Sequence, residues 1–254
     1  MPNLSDKGIY LPPSPIRKLV PFAEAAKRRG IKVYHLNIGQ PDIRTPQVAV
    51  DAVKNIHDQV FEYGHSAGNE SYRRKLADYY RGVGIDVTTD DMVITVGGSE
   101  AIFMAMTICL NPGDEVLVPD PSYPSNFLNP KLLDAVTVPV PLYAEDNWQF
   151  RIEEFEKRLT PRTKMVLLTH PNNPTTTVYR RESIEALCRF IIDNDLVLVC
   201  DQAFEDHIYD GIEFVAPCTL PGMWERTLTV CSISKGIGLS GFRIGYIYAC
   251  DKIM

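Results

Sequence analysis

The chain has 254 residues, of which 45% are hydrophobic and 23% charged, enough for a sizeable core in one large α/β domain or two smaller ones. A formal net charge of −6 with no Lys/Arg block argues against a nucleic-acid-binding surface and for small-molecule chemistry. The six cysteines form no CxxC pair and read as reduced core residues, the start MPNLSDKG lacks an apolar leader, and the apolar runs are too short to cross a bilayer, so a cytoplasmic, membrane-free protein is expected.

In chain order, the prolines Pro2, Pro12, Pro13 and Pro15 predict an extended arm before Ile16, followed by a helix from Ile16 to Arg29. After LNIGQPD, helical periodicity covers Pro46 to Ile56 and then Glu70 to Gly84. Six short β-branched runs follow: Val93 to Val96, Glu115 to Val118, Lys164 to Leu168, Leu196 to Cys200, Leu228 to Val230 and Ile244 to Tyr248. Helical patterns such as Ser99 to Leu110 and Arg181 to Asn194 separate most of them, which predicts an α/β fold with a largely parallel sheet. The expected division is an N-terminal arm and helix over 1–45 and a ligand-binding domain over 46–254.

The loops after these runs carry the chemistry: GGSE after Val96, PDPSYP after Val118, THPNNP after Leu168, DQAF after Cys200 and CSISKG after Val230. Open α/β sheets bind ligands beyond the carboxyl ends of their strands, so five loops should converge on one crevice. Gly98, Ser99 and Glu100 open a helix whose free N–H groups suit an anion, and Ser232 and Arg243 add a hydroxyl and a bidentate cation. Asp201 follows a buried strand and calls for a cationic partner such as a protonated ring nitrogen. Lys235 offers an amine able to form an imine, and Tyr123 a face on which a planar ring can stack. A phosphate, a protonated pyridine, an aldehyde and a flat ring together describe pyridoxal 5′-phosphate.

Plainer readings exist for each residue taken singly. Lys235 and Arg243 could be surface cations, Asp201 a helix cap, Asn173 before Pro174 a turn, and Tyr123 and Tyr63 packing aromatics. GIGLSG, Gly236 to Gly241, matches a dinucleotide-binding pattern, but a strand rather than a helix is expected after it. Asp201, Glu205, Asp206 and His207 lack a familiar metal-ligand spacing.

The order Tyr63…Gly68, VGGSEA, PDPSYP, PNNPT, DQAF and SISK…Arg243 resembles the class I/II aminotransferases of the aspartate aminotransferase fold. The resemblance implies the three-layer α/β/α large domain of fold-type I enzymes, with a mostly parallel mixed sheet and bound pyridoxal phosphate. It implies that Lys235 is the Schiff-base lysine, nucleophile and base in turn, and that Asp201 meets the pyridine nitrogen. Asn173 would bond the ring's 3-oxygen with Phe204 beside it, and Tyr123 would stack on the ring. The Gly98-Ser99-Glu100 backbone, Ser232 and Arg243 would hold the phosphate, with Tyr63 reaching in from the second subunit of a homodimer. Gly39 would lie near the substrate carboxylate. The implied activity is transfer of an amino group from an L-amino acid to a 2-oxo acid; a carbon–sulfur lyase or decarboxylase on the same fold, or cofactor binding without turnover, are the alternatives.

The chain departs from the family pattern in several places. Phe204 replaces a tyrosine, Gln202 replaces an acid, and Thr176 replaces a glycine, a change that is harmless only if φ is negative there. The family's C-terminal small domain, with its carboxylate-binding arginine, has no counterpart before Met254, so a truncated chain is expected.

Overall fold

A computed structural model describes residues 2–12, 14–37, 39 and 41–254. Its contacts divide the chain into two units, Met1–Asp42 and Ile43–Met254.

In the first unit, α1 (Asp6–Tyr10) stands where an extended arm was expected. Ser5 caps it, its hydroxyl accepting from Gly8 N at 3.2 Å, and Asp6 complements the positive end. These local signals outweigh the prolines, because Pro2 and Pro12 flank the helix rather than interrupt it. A 3₁₀ turn, Arg17–Leu19, then leads into α2 (Val20–Arg28), with Pro21 in the first turn, where its missing N–H is harmless.

The second unit opens with α3 (Gln47–Lys54) and α4 (Glu70–Gly82), the latter capped by Asn69, which accepts from Tyr72 N. There follow β1 (Met92–Thr95), α5 (Gly98–Cys109), β2 (Glu115–Asp120), α6 (Pro124–Leu132), β3 (Val136–Pro141), α7 (Ile152–Glu156), β4 (Thr163–Thr169), α8 (Arg181–Asp193), β5 (Val197–Asp201), β6 (Thr227–Ser232) and β7 (Gly245–Tyr248). The seven strands form one sheet in the order β1-β7-β6-β5-β4-β2-β3. All pairs are parallel except those of β7, which runs antiparallel to β6 and β1.

Side-chain alternation sends successive residues to opposite faces. Leu117, Leu198 and Cys200 join α8 residues Ile184, Leu187 and Ile191 on one face, which continues into a cluster of Tyr80, Cys231, Tyr246 and Tyr248 beneath α4. Val116, Val118, Val199 and Val230 pack with Ala101, Ile102 and Met106 of α5 on the other. The result is the expected three-layer α/β/α arrangement, its mixed sheet mostly parallel. Three elements of this unit, α6, β3 and α7, go beyond what periodicity predicts. Prolines mask two of them: α6 starts at Pro124 and contains Pro130, and β3 (VTVPVP) tolerates Pro139 because it is the outermost strand.

Candidate active site

The parallel run of β2, β4, β5 and β6, with β1 in the same sense, brings the ends of these strands to one edge of the sheet. Register fixes the neighbours there: Thr169 lies opposite Asp201, Asp201 opposite Val230, and both Ser232 and Thr95 opposite Gly245. The loops bearing Gly98, Tyr123, Asn173, Asp201 and Lys235 therefore leave the sheet on one side, as the sequence predicts.

An anion cradle forms where β1 turns into α5. Gly97 sits at φ 82°, without a capping side chain, and the first N–H groups of α5 have no partner within the helix. Thr95 Oγ1 donates to Gly97 O at 3.0 Å, while Glu100 turns its carboxylate back to accept from Val96 N. Glu100 thus offers a ligand only its backbone. Gly245 is crossed so closely that an added β-carbon would lie 2.3 Å from Gly97 C and 2.5 Å from Gly98 N. At Gly97 a β-carbon would come 2.3 Å from Arg243 Nη2, so the guanidinium lies directly on the turn. Arg243 holds this position from a left-handed backbone, φ 55°, donating through Nη1 to Ser240 O at 2.8 Å. Such strain in a non-glycine residue is characteristic of functional sites. Ser232 Oγ lies 2.8 Å from Ser234 Oγ and accepts from Ser234 N at 3.1 Å. Ser234, 3.5 Å from Arg243 Nη1, was not singled out from the sequence; its spacing of two from Ser232 in SISK was the available signal.

Lys235 is half-buried, and burial followed by the repulsion of Arg243 lowers its pKa. Two cations brought this close, beside free helix amides, favour an anion between them. Asp201 is buried, which pushes its pKa up to about 6; the Ala203 N–H, donating to Oδ1 at 3.1 Å, pulls the other way. Its partner set among the described residues contains no cation, so a protonated ring nitrogen would satisfy it. An anion cradle, an amine of lowered pKa and a buried acid awaiting a cation are what pyridoxal phosphate requires, and the residues present fit it.

Other candidates stand as follows. Asn173 is half-buried after β4, and it is its neighbour Asn172 that ties the loops together, donating to Pro121 O at 3.1 Å and Thr175 Oγ1 at 2.7 Å. Tyr123 caps α6, half-buried. Phe204 meets the His207 ring edge-on at 5.8 Å. Gln202 is buried, its Oε1 accepting from Tyr248 at 3.4 Å and its Nε2 donating to Cys200 Sγ at 3.6 Å, an environment that suits a neutral amide better than a carboxylate. Thr176 has φ 61°, so the glycine-to-threonine change places a β-branched residue in the left-handed region. Tyr63 is fully exposed and is not gathered into the site within one chain. Gly39 belongs to the first unit, and its neighbours Ile38 and Gln40 lie outside the described residues. His170, stacked between Tyr179 and Phe214, is driven down to about 3 by burial and is a neutral core residue. GIGLSG runs into a 3₁₀ turn and β7, not a helix.

Comparison with known proteins agrees with this geometry. The chain is 32% identical over 255 aligned residues to aromatic-amino-acid aminotransferase 2 of Thermococcus litoralis, and 32% identical to the aspartate aminotransferase of Pyrococcus abyssi. Each alignment covers 99% of this chain and 64% of the relative, so the chain spans a little under two thirds of their length. Among solved structures, the aspartate aminotransferase from Thermus thermophilus with maleate superposes with a TM-score of 0.93 at 32% identity, covering 100% of this chain and 66% of that one. The sequence pattern of aminotransferase class I and II matches residues 31–254, and the chain belongs to that family.

Proposed function

We propose that the protein is a pyridoxal-phosphate-dependent aminotransferase that moves an amino group from an L-amino acid to a 2-oxo acid. The observation that carries this reading is the meeting, at one sheet edge, of Lys235 with its lowered pKa, buried Asp201 and the Gly97–Arg243 cradle. The α5 amides, Ser232, Ser234 and Arg243 would hold the phosphate. Asp201 would stand as a carboxylate against the ring nitrogen and keep it protonated, and Asn173 and Tyr123 would orient the ring. When bound, the cofactor supplies an electrophilic aldehyde carbon and a ring that accepts the electrons of the substrate's Cα–H bond. Lys235 Nζ, more often neutral than an ordinary lysine, would take the proton from the substrate Cα and deliver it to the cofactor's aldehyde carbon.

A homodimer in the cytoplasm completes the reading. Tyr63, with Val60 and Phe61, forms an exposed apolar run suited to a second copy, and all six cysteines are free thiols. The names of the relatives make aspartate and aromatic amino acids the first substrates to test.

Incubation with pyridoxal phosphate should give a visible-absorbing protein whose borohydride-stable label maps to Lys235. Addition of an amino acid should bleach that absorbance, and a 2-oxo acid should restore it. A label on another lysine would overturn the site. Release of ammonia without any acceptor would point instead to a lyase, and a label without bleaching to cofactor binding alone. Arg243→Lys should weaken cofactor binding by roughly tenfold, because a lysine replaces the bidentate fork with a point charge.

A further inference from the structure

Beneath the loop that follows Asp201 lies a cluster of titratable groups that the proposed reaction does not use, buried at Tyr80, Cys231, Tyr246 and Tyr248 and opening to solvent at Tyr79 and Asp206. Consecutive tyrosines of α4 meet consecutive carboxylates of this loop. Tyr79 Oη donates to Asp206 Oδ1 at 3.0 Å, and Tyr80 Oη to Glu205 Oε1 at 2.7 Å. Tyr80 has one hydroxyl hydrogen, so having given it to Glu205 it accepts from Tyr246, whose hydroxyl is 2.9 Å away. Cys231 Sγ lies 3.1 Å from the same oxygen. The chain of bonds therefore runs from Tyr246 on β7 through Tyr80 on α4 to Glu205. Tyr248, two residues along β7, donates to Gln202. Three tyrosines from two elements thus hold the stretch directly after Asp201, at Gln202, Glu205 and Asp206, and Tyr246 supports Tyr80 from behind.

The other side of this stretch touches the Lys235 turn. A β-carbon on Gly236 would lie 2.3 Å from Asp206 Oδ2, so the carboxylate of Asp206 is seated against the residue that follows Lys235. A side chain at 236 would have to displace the Asp206 carboxylate, since no backbone atom stands in its way and the φ of Gly236 lies outside the left-handed range. Among the described residues, the groups facing Glu205 are Tyr79 and Tyr80 from α4, Cys218, Cys231 from β6, Tyr246 and Tyr248 from β7, and Asp206 beside it. A carboxylate so placed adds little stability compared with an apolar residue, and what such a polar cluster supplies is one definite arrangement.

We propose that the Tyr79–Asp206 and Tyr80–Glu205 pairs form a latch through which α4 and β7 set the Lys235 turn against the Asp201 loop. The four are positioning residues: they act on Lys235 through the backbone of residues 202–206 and of Gly236. The proposal builds on the reading of Lys235 as the reactive amine, but its test needs no cofactor.

The full chain without cofactor is trace-acetylated with acetic anhydride over a pH series, and the yield at Lys235 is compared by mass spectrometry with that of its other lysines. The double variant Tyr79→Phe/Tyr80→Phe and the single variant Gly236→Ala release the turn and return Nζ to water. Near neutral pH, Lys235 labelling should fall about threefold as its pKa moves back up towards that of an ordinary lysine. Glu205→Gln keeps an acceptor for the Tyr80 hydroxyl and should hold the profile close to that of the unaltered chain. If the tyrosine variants melt at a lower temperature with Lys235 labelling unchanged, the hydroxyls serve core stability alone and the latch is refuted. Should the double variant not fold, Tyr79→Phe, at a half-exposed position, and Gly236→Ala decide the matter by the same comparison. Failure of the unaltered chain to take up pyridoxal phosphate would sink the proposed function while leaving this comparison intact.

Discussion

Two side chains sit in surroundings that work against them, and each yields a measurable consequence. Thr176 occupies φ 61°, where an L-residue with a branched β-carbon is strained by about 1–2 kcal/mol. Part of that would be offset by the greater freedom glycine brings to the unfolded chain. Thr176→Gly should therefore stabilise the protein by about 0.5–1 kcal/mol, read as a raised urea midpoint at unchanged slope; a lowered midpoint would contradict the strain. Glu205 is the second case. Burial, opposed by the Tyr80 hydrogen bond and aided by Asp206, pushes its pKa from 4.5 up to about 7. A folded-state pKa raised in this way stabilises the protein fully below the unfolded value, and the benefit disappears as pH rises through about 7. Gln at this position cannot ionise. Relative to the unaltered chain, Glu205→Gln should gain on the order of 2 kcal/mol between about pH 5 and about pH 8. Denaturation curves at the two pH values check this, and a constant difference would mean that Glu205 titrates normally.

The turn from β1 into α5 is the element on which the anion cradle depends, and it is held by close approach rather than by many bonds. Gly245 at the start of β7 passes under Gly97 and Gly98 with no room for a side chain. Gly245→Ala must push the turn off the sheet, which would carry the α5 amides away from Ser232 and Arg243. A loss of about 2–3 kcal/mol is expected from such overpacking, with cofactor affinity falling in parallel. A variant as stable as the unaltered chain that binds pyridoxal phosphate normally would show that the turn can move without harm. On the opposite face, α8 is held mainly by packing. Ile184→Ala removes a fully buried side chain and should cost about 2–5 kcal/mol while leaving the Lys235 labelling profile unchanged.

For the molecule as a whole, the exposed run Val60, Phe61 and Tyr63 is the test of assembly. Sedimentation equilibrium should give twice the chain mass, and charged residues at Phe61 and Tyr63 should shift the population towards monomer; a monomeric unaltered chain would refute the dimer. Much of the architecture could be read in advance, because hydrophobic runs and the loops after them are local in the chain. The strands at β1, β2, β4, β5, β6 and β7, the helices α4, α5 and α8, and the order of loops bearing Gly98, Tyr123, Asn173, Asp201 and Lys235 all follow from periodicity and turn chemistry. The short capped helix α1 and the proline-bearing α6 and β3 did not, since proline masks a helix start and an edge strand alike. Local pattern was enough to place the loops after β1, β2, β4, β5 and β6 at one sheet edge. The settings of those loops come from the folded chain: the left-handed Thr176 and Arg243, the burial that raises Asp201 and Glu205, and the contact of Asp206 with Gly236. Each of these depends on residues distant in the chain meeting in a place that water has left, and local pattern carries no record of such meetings.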